Sequence, residues 1–314
     1  MLALLFPGQG SQEVGMGREA ASSSPAARRV FDAADAALGF SLSALCFEGP
    51  EDELRRTEIQ QPAILTTGVA LLRALEERTA VSPDFVAGHS LGEYTALVAA
   101  GALAFDEAVC LVHARGRYMQ EAVPEGRGAM AALLGCGAND VRAACEHAAR
   151  ETGRVVTPAN FNSPQQVVIA GDAVAVESAC SRARELGAKR AVPLAVSAPF
   201  HCPLMAPAAE KLRLELDGVR FAPAKPPVVS NVEARPNSDP ARIPGLLLQQ
   251  VTAPVRFTEM VETLRGLGVT RFLEVGPGRV LSGLVARIDR RARRANLGSI
   301  QDLDEAVEFA AEAP

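Results

Sequence analysis

The chain has 314 residues with a formal net charge of −5, and 48% of its residues are hydrophobic. This length and composition suit one large folded domain, or a large domain with a smaller insert, and give no sign of disorder. The acidic charge argues against nonspecific nucleic-acid binding, and two tyrosines with no tryptophan cannot provide base-stacking platforms in number.

The first predicted element is a strand from Met1 to Phe6. No basic leader precedes this apolar run and Pro7 follows it, which is not typical of a signal peptide. No apolar stretch of the chain reaches membrane-spanning length, so we expect no membrane partner.

The loop over residues 7–12 lies at a strand end, where open α/β sheets contact ligands, but it lacks the Gly-Lys-Ser/Thr of a phosphate loop. Gln9 is interpreted as a hydrogen-bond donor to a ligand, with a loop that bonds only to itself as the alternative.

A nucleophile elbow is predicted at Gly88-His89-Ser90-Leu91-Gly92, after helical patterns at 25–37 and 60–78. An apolar run over 84–87 precedes it, and an Ala-, Leu- and Val-rich helix follows to residue 104, as a strand–turn–helix unit requires. The two glycines let strand and helix pass closely, and the helix directs its free N–H groups toward charge that develops beside Ser90. Ser90 is therefore predicted to be a nucleophile for acyl transfer, the alternative being a tight turn with an incidental serine.

A helix over 105–122 carries an arginine on its apolar stripe. Arg115 shares that stripe with Ala108, Val112 and Met119. A desolvated guanidinium without a partner is very costly, so Arg115 must have an anion. The anion is either an internal carboxylate or the carboxylate of a substrate, which the planar guanidinium binds with two parallel hydrogen bonds. The spacing leaves both readings open.

The order of elements changes in the middle of the chain. Strands are predicted at 129–134, 155–161, 166–170 and 190–194, and helices at 139–150 and 174–186. This βαββαβ order is that of a ferredoxin-like unit, which we predict as a small subdomain over residues 127–196. Residues 1–126 and 197–314 are predicted to form a large hydrolase-like α/β domain with a mostly parallel sheet. Its later strands are predicted at 227–231 and 270–275.

An activated serine needs a base, and the chain has four histidines. His89 lies inside the elbow, where its side chain should point away from the serine. His113 and His147 fall on helix faces predicted to be solvated. His201 remains, in a loop that leaves a strand and enters a helix that Pro203 can begin. By elimination His201 is the predicted base, with a helix-capping role as the alternative.

The group that orients His201 is less evident. The chain order of α/β hydrolases would place an acid between the serine and the histidine. Three aspartates of that interval begin or lead into helices and are more simply explained as caps: Asp106, Asp140 and Asp172. A backbone or side-chain amide oxygen is the alternative orienting group.

The six cysteines show neither a CxxC pair nor metal-type spacing. Reduced thiols in a cytoplasmic protein are therefore expected, without a structural metal or disulfides.

Several motifs together resemble those of bacterial malonyl-CoA:acyl carrier protein transacylases. They occur in the same order at 6–10, 88–93, 160–164 and 274–278, and the resemblance covers nearly the whole chain. It implies a hydrolase-like domain with a ferredoxin-like insert. It also implies transfer of malonyl from malonyl-CoA to the phosphopantetheine thiol of holo acyl carrier protein, for fatty-acid or polyketide synthesis. No permanently bound cofactor and a monomeric protein are expected.

The resemblance assigns roles to individual residues. It implies that Ser90 is the nucleophile and His201 its partner, and that Gln9 and the Leu91 N–H form the oxyanion hole. Arg115 would bind the free malonate carboxylate. The main-chain carbonyl of residue 250 would orient the histidine. Three more residues match cleft-lining positions, with loop amides that join the two domains as their alternative reading: Asn160, Asn162 and Gln61.

Phe200 is shared with many malonyl-selective relatives. Its ring would crowd an α-methyl branch, although one such contact discriminates a methyl group by only about 1 to 3 kcal/mol. A preference for malonyl over methylmalonyl is therefore expected.

An acidic carrier protein needs a basic patch on an enzyme of net charge −5. Four arginines follow the spacing i, i+3, i+4, i+7 and would line one face of a helix: Arg287, Arg290, Arg291 and Arg294. We predict that this face, with Lys189 and Arg190, contributes to carrier docking; a solvated helix end is the alternative.

A serine hydrolase or thioesterase is the alternative function of the protein, although a simple esterase has no use for Arg115.

Overall fold

The computed structural model describes residues 1–312. Its ten strands, numbered β1 to β10 in chain order, are Leu2–Phe6, Phe85–Gly88, Gly128–Leu134, Val156–Ser163, Gln166–Asp172, Arg190–Pro193, Val228–Val229, Pro236–Asn237, Arg271–Val275 and Arg293–Leu297. They form two separate sheets. The structure is therefore a mixed α/β fold, as predicted.

The first sheet has the order β10-β9-β1-β2-β7-β8. All neighbours are parallel except β7 and β8. All five residues of β1 are buried, because a parallel sheet is covered by helices on both faces. Strands β8 and β10 were not predicted from the sequence, and β7 has two residues where five were predicted.

Fourteen helices surround the sheets in the described part of the chain. Numbered α1 to α14 in chain order, they are Arg18–Ser23, Pro25–Leu38, Leu42–Glu48, Glu51–Leu54, Thr57–Glu76, Gly92–Ala99, Phe105–Glu121, Ala138–Thr152, Ala173–Glu185, Ala206–Asp217, Ile243–Thr252, Phe257–Gly266, Val280–Ile288 and Leu303–Ala311. Helix α5 packs against α2 and α7 and is buried over most of its length, as a helix that is apolar on most sides must be.

Helix α6 ends earlier than the sequence indicated. The prediction of a helix to residue 104 was wrong, because Gly101 adopts a left-handed conformation with φ of 65°. Its N–H donates to the carbonyl of Val98 at 3.0 Å, and the next N–H donates to Leu97 at 2.9 Å. This pair of bonds is a Schellman motif, which closes a helix by satisfying its last carbonyl groups.

The second sheet has the order β4-β5-β3-β6 and is antiparallel throughout. That is the strand order of a ferredoxin-like unit, with α8 and α9 packed on the sheet. Its strands lie within residues 128–193 and have their own apolar core, which includes Leu133, Val141 and Ile169. The subdomain boundaries at 127 and 196 stay a prediction, which this separate core supports.

Strand β4 also pairs with the segment between α11 and α12. The N–H of Phe161 donates to the carbonyl of Val255 at 2.8 Å, and the N–H of Val255 donates to the carbonyl of Ala159 at 2.9 Å.

No helix within residues 1–312 is long and apolar enough to cross a membrane. The same residues contain no cluster of three or more His, Cys, Asp or Glu side chains that could hold a metal ion.

Candidate active site

The turn between β2 and α6 has the geometry of a nucleophile elbow. Ser90 adopts a left-handed φ of 52°, which is uncommon for a residue with a side chain. A Cβ on Gly88 would lie 2.0 Å from the Gly92 backbone, and a Cβ on Gly92 would lie 2.0 Å from the carbonyl oxygen of Phe6. Both glycines are therefore required by the close approach of backbone segments, as predicted.

Ser90 and His201 are in direct contact. Ser90 Oγ lies 2.7 Å from His201 Nε2, and His201 Nδ1 lies 2.8 Å from the main-chain oxygen of Gln250. A carbonyl oxygen only accepts, so Nδ1 carries the ring proton and the lone pair of Nε2 faces the serine hydroxyl. The arrangement is a hydroxyl beside an oriented base, the geometry of an activated nucleophile.

The group that orients His201 is thus a neutral carbonyl. No Asp or Glu side chain within residues 1–312 hydrogen-bonds to this histidine. Asp106 and Asp140 lie in the first turns of α7 and α8, but neither helix has a side-chain cap bond, and the N-cap positions are those of Ala104 and Gly137. Asp172 precedes α9, but its carboxylate makes no cap bond there and instead accepts the N–H of Val155 at 3.1 Å. The side-chain caps predicted for these three aspartates are therefore wrong.

The surroundings of His201 keep its imidazole neutral. Its side chain is buried, and burial together with the nearby charge of Arg115 lowers the pKa of His201 to about 3. A neutral imidazole is the form that accepts a proton from a hydroxyl. At neutral pH the imidazole is consequently in the form that a general base requires.

Arg115 lies directly behind Ser90 and is 0% exposed. Its Nη1 donates to Gln61 Oε1 at 2.7 Å, and its Nη2 donates to Ser90 Oγ at 3.1 Å and to Gln250 Oε1 at 2.9 Å. Every one of these acceptors is neutral. No carboxylate within the described chain accepts a hydrogen bond from Arg115, and its Nε has no partner there. The reading in which Arg115 pairs directly with an internal acid is thereby excluded for residues 1–312.

Two further groups hold this arrangement, and sequence reasoning missed both. Glu93 Oε2 accepts from Gln250 Nε2 at 2.7 Å and from the N–H of Asn231 at 3.1 Å. Asn231 Oδ1 accepts the N–H of Ser90 at 2.6 Å, and its Nδ2 donates to Gly88 O at 2.7 Å. A sequence signal existed only for Glu93, since a carboxylate on the first turn of a buried helix needs partners.

The two proposed oxyanion donors differ in their present partners. The N–H of Leu91 makes no hydrogen bond within residues 1–312, so it is available to a ligand. Gln9 Nε2 donates to Gln60 Oε1 at 2.6 Å. This bond joins the loop to α5, so the loop does not bond only to itself. The second N–H of the Gln9 amide is left for another acceptor.

Ser90 and His201 open on a cavity of about 660 Å³. Gln9, Asn160 and Phe200 line the same cavity, as predicted for cleft residues. Two predicted residues contact the site from behind instead. Gln61 binds Arg115, and Asn162 Oδ1 accepts from Nε2 of His89 at 2.8 Å.

The remaining histidines are placed as follows. His89 is half-buried and bonded to Asn162, so its ring turns away from the serine as predicted. His147 is exposed. The prediction of a solvated His113 was wrong, because its ring is half-buried against α5 and its Nδ1 lies 2.8 Å from the carbonyl of Glu58.

The predicted arginine helix face is not present. Helix α13 ends at Ile288, and Asp289 is extended, with its carboxylate accepting the N–H of Arg291 at 2.9 Å. Arg287 lies in the last turn of the helix, Arg290 lies in the following turn, and Arg294 is in β10. The arginine spacing predicted a helix wrongly, because charged positions provide no buried face to hold the last turns. Lys189 and Arg190 are exposed.

Comparisons with known proteins give a consistent family assignment. The acyl transferase domain profile matches residues 3–303. A malonyl CoA-acyl carrier protein transacylase of Bacillus subtilis is 50% identical over 98% of this chain and 96% of that protein. Its namesake from Escherichia coli K12 is also 50% identical, over 91% of this chain and 92% of its own length.

Solved structures agree with these relatives. A malonyl CoA-acyl carrier protein transacylase from Coxiella burnetii has a TM-score of 0.96 and 42% identity, over 99% of this chain and 98% of that chain. A malonyl-transacylase in complex with its holo type II PKS acyl-carrier protein has a TM-score of 0.95 and 46% identity, over 98% of this chain and 99% of its own. Both similarities extend over almost the whole chain and so include both sheets.

Proposed function

Because the chain belongs to the acyl transferase domain family, we propose that it moves malonyl from malonyl-CoA to the phosphopantetheine thiol of holo acyl carrier protein. Two relatives that are 50% identical to this chain are named malonyl CoA-acyl carrier protein transacylase. One solved relative is bound to its acyl-carrier protein. The observation that carries the proposal is the 3.1 Å contact of Arg115 Nη2 with Ser90 Oγ, because it sets a carboxylate-binding group beside an activated nucleophile. The coenzyme A thioester enters as a substrate, and no resident cofactor is proposed.

The first half-reaction forms an ester on the serine. His201 Nε2 accepts the Ser90 hydroxyl proton while Oγ attacks the thioester carbonyl carbon. The oxyanion then accepts hydrogen bonds from the Leu91 N–H and the Gln9 amide, and loss of one such donor raises the barrier by roughly 2.7 to 4 kcal/mol. The carbon–sulfur bond breaks, and the coenzyme A thiolate takes the proton from Nε2. The product is malonyl-Ser90.

The second half-reaction reverses these steps with another thiol. The phosphopantetheine thiol of the carrier protein gives its proton to His201 Nε2 and attacks the ester carbonyl. The same two donors hold the second oxyanion. The carbon–oxygen bond to Ser90 then breaks, and the serine oxygen regains its proton from His201. Transfer is therefore of the ping-pong type.

Arg115 supports the choice of a carboxylated acyl group. Within residues 1–312 its guanidinium has only neutral acceptors, so an arriving carboxylate gains charge-assisted hydrogen bonds without displacing an acid. Gln61 holds Nη1 in place, while Asn160 and Phe200 line the cavity that receives the acyl chain. The ring of Phe200 would disfavour an α-methyl branch by about 1 to 3 kcal/mol.

Carrier docking is proposed for a basic surface, defined as the exposed residues Lys189, Arg190, Arg287, Arg290 and Arg291. Lys189 packs over Gly135, whose N–H donates to Gln165 at 2.9 Å, and Arg287 donates to the side chain of Gln166 at 2.6 Å. Residues distant in the chain thus meet at one hairpin end. Arg294 is left out, because its guanidinium turns to the carbonyls of Asp289 and Ala292.

Other aspects of the biological setting stay predictions. Synthesis of fatty acids is the role that relatives of this kind favour, with polyketide synthesis as the second setting. Cytoplasmic location and a monomeric state rest on cysteine usage and on the family resemblance.

Intact-mass spectrometry after brief incubation with malonyl-CoA tests the proposed function. Wild type should gain one malonyl group and pass it to holo carrier protein, while Ser90→Ala should gain none. Rapid loss of the acyl group to water without carrier protein would instead identify a hydrolase. Labelling of Ser90→Ala would show that the nucleophile is a different residue.

A further inference from the structure

We infer that Glu93 is a positioning residue, which fixes the side-chain amide of Gln250 and through it the guanidinium of Arg115 that selects the acyl group. The inference rests on the proposed function, because it assigns a determinant of the acyl preference of that same site. Glu93 itself is 3% exposed and does not line the cavity formed by Ser90 and His201, so it acts through other residues.

The Gln250 amide has one orientation that satisfies all its neighbours. Its Nε2 donates to Glu93 Oε2 at 2.7 Å and to the main-chain oxygen of Ser90 at 3.0 Å. Its Oε1 accepts from Arg115 Nη2 at 2.9 Å. Rotation of the amide by half a turn would set its oxygen against two acceptors and its N–H₂ against a guanidinium donor. Glu93 is therefore one of the groups that direct Oε1 toward Arg115.

The same carboxylate oxygen also supports the elbow. Oε2 accepts the N–H of Asn231 at 3.1 Å, and Asn231 Oδ1 accepts the N–H of Ser90 at 2.6 Å. The Glu93 carboxylate is thus linked to two groups next to the serine hydroxyl. Through Asn231 it is linked to the elbow backbone, and through Gln250 to the guanidinium of Arg115. Removal of the carboxylate would leave one N–H of Gln250 Nε2 and the N–H of Asn231 without this buried acceptor.

The side-chain amide of Gln250 separates Glu93 from Arg115, and this separation affects what Arg115 can bind. A carboxylate in direct contact would occupy the guanidinium and compete with the substrate carboxylate. Glu93 instead orders Arg115 through the neutral amide of Gln250. The guanidinium is therefore fixed in position without a bonded carboxylate, and its charge can interact with that of a substrate. Burial raises the pKa of Glu93 to about 7, and in either protonation state Oε2 can still accept both hydrogen bonds. An amide oxygen at this position could accept them as well.

The chain offers a matched control in Glu274. This carboxylate is also fully buried, and it accepts two backbone N–H groups, from Leu281 at 2.9 Å and from Ser282 at 2.7 Å. Its partners belong to the start of α13, and none of them contacts Arg115, Ser90 or His201. Glu274→Ala should therefore reproduce the cost in stability of removing a buried carboxylate without reaching the acyl-selecting group.

The test compares the second-order rate constants for Ser90 ester formation with malonyl-CoA and with acetyl-CoA, both measured by intact-mass spectrometry. Their ratio is the malonyl preference. Glu93→Ala should lower the malonyl preference about tenfold, mainly through KM for malonyl-CoA, because two hydrogen bonds that order Gln250 and Asn231 are lost. Glu93→Gln should stay within about threefold of wild type, since its amide oxygen can replace Oε2. Glu274→Ala should keep the wild-type ratio.

A double-mutant cycle shows whether Glu93 acts through Arg115. The ratio in Arg115→Ala/Glu93→Ala should equal that in Arg115→Ala alone, because residues that act through one another are not additive. An unchanged ratio in Glu93→Ala, or a further loss in the double variant, would overturn the inference. If Glu93→Ala does not fold, Glu93→Asp replaces it, since the shortened carboxylate cannot reach both donors, and a wild-type ratio there overturns the inference equally. A wild type that forms no ester overturns the proposed function itself.

Discussion

The protein has two cationic regions that differ in burial and in partners. Arg115 is fully buried among neutral acceptors, whereas the basic surface around Lys189 and Arg287 is exposed to solvent. A charge in a low-dielectric site acts strongly on the one ion that reaches it, while exposed charges are screened by salt within about 8 to 10 Å. Burial therefore suits Arg115 to recognise a single carboxylate, and exposure suits the basic surface to attract a whole acidic protein.

The largest expected effect is that of Arg115→Ala on acyl choice. Loss of two charge-assisted hydrogen bonds should lower kcat/KM for malonyl-CoA about a hundredfold or more. The rate with acetyl-CoA should change much less, because acetyl has no carboxylate. Ester formation on Ser90 with each thioester measures both rates. Arg290→Ala is the control from the basic surface, and an equal fall for both thioesters in Arg115→Ala would contradict the difference between the two regions.

The second prediction concerns pH. Burial and the charge of Arg115 lower the pKa of His201 to about 3, and a general base loses activity as pH falls through its pKa. The rate of Ser90 acylation should therefore show no decline centred on the ordinary histidine value, down to about pH 5. In Arg115→Ala one lowering cause is removed, so the acid limb should move to higher pH, whereas Arg290→Ala should not move it. A wild-type decline centred near pH 6.5 would show that the site does not depress the pKa of His201.

The third prediction is a gain in stability when the buried cation is removed. Arg115→Met keeps most of the side-chain volume and removes a charge that has no carboxylate partner within residues 1–312. The free energy of unfolding should rise by about 1 kcal/mol or more, while malonyl preference is lost. Urea denaturation measures the change. A destabilised Arg115→Met would mean that the neutral acceptors of Ser90, Gln61 and Gln250 compensate the charge fully.

The smallest expected effect is that of the basic surface. The double variant Lys189→Glu/Arg287→Glu should raise KM for holo carrier protein about fivefold and leave ester formation from malonyl-CoA unchanged. The effect should shrink as salt is added, since the charges are exposed. Steady-state transfer at two ionic strengths measures both features. Arg213→Glu/Arg242→Glu reverses the same number of exposed cations, which pair with Asp217 and Glu233, and so controls for net charge. An unchanged KM in the double variant would remove this surface from carrier docking.

The elements that sequence predicted well are those with a local cause. The strand before Ser90 and the helices around Phe31 and Arg115 follow from hydrophobic periodicity, which depends on residues within a few turns. The elbow follows from Gly88 and Gly92, whose lack of side chains is itself the local requirement. Arginine spacing after Arg287 failed as a helix signal because no buried face supports it.

The residues proposed to carry the chemistry could be identified as candidates from the sequence, but their arrangement in space could not. Elimination among four histidines indicated His201, and an apolar stripe indicated that Arg115 is buried. Neither argument shows what these side chains contact. Ser90 and His201 are 111 positions apart in the chain, and Glu93 and Gln250 are 157 apart, so their contacts depend on how the whole first sheet and its helices pack.

The sequence by itself thus indicated Ser90 as the candidate nucleophile and determined the mixed α/β architecture and the ferredoxin-like order of the second sheet, because each rests on short-range patterns of apolar residues and glycines. Only the tertiary structure decided that Arg115 has neutral partners and that Gln250 serves the site with its side chain as well as its carbonyl. The physical reason is that a polar side chain is oriented by the donors and acceptors that distant segments bring to it. Such partners leave no trace in local periodicity.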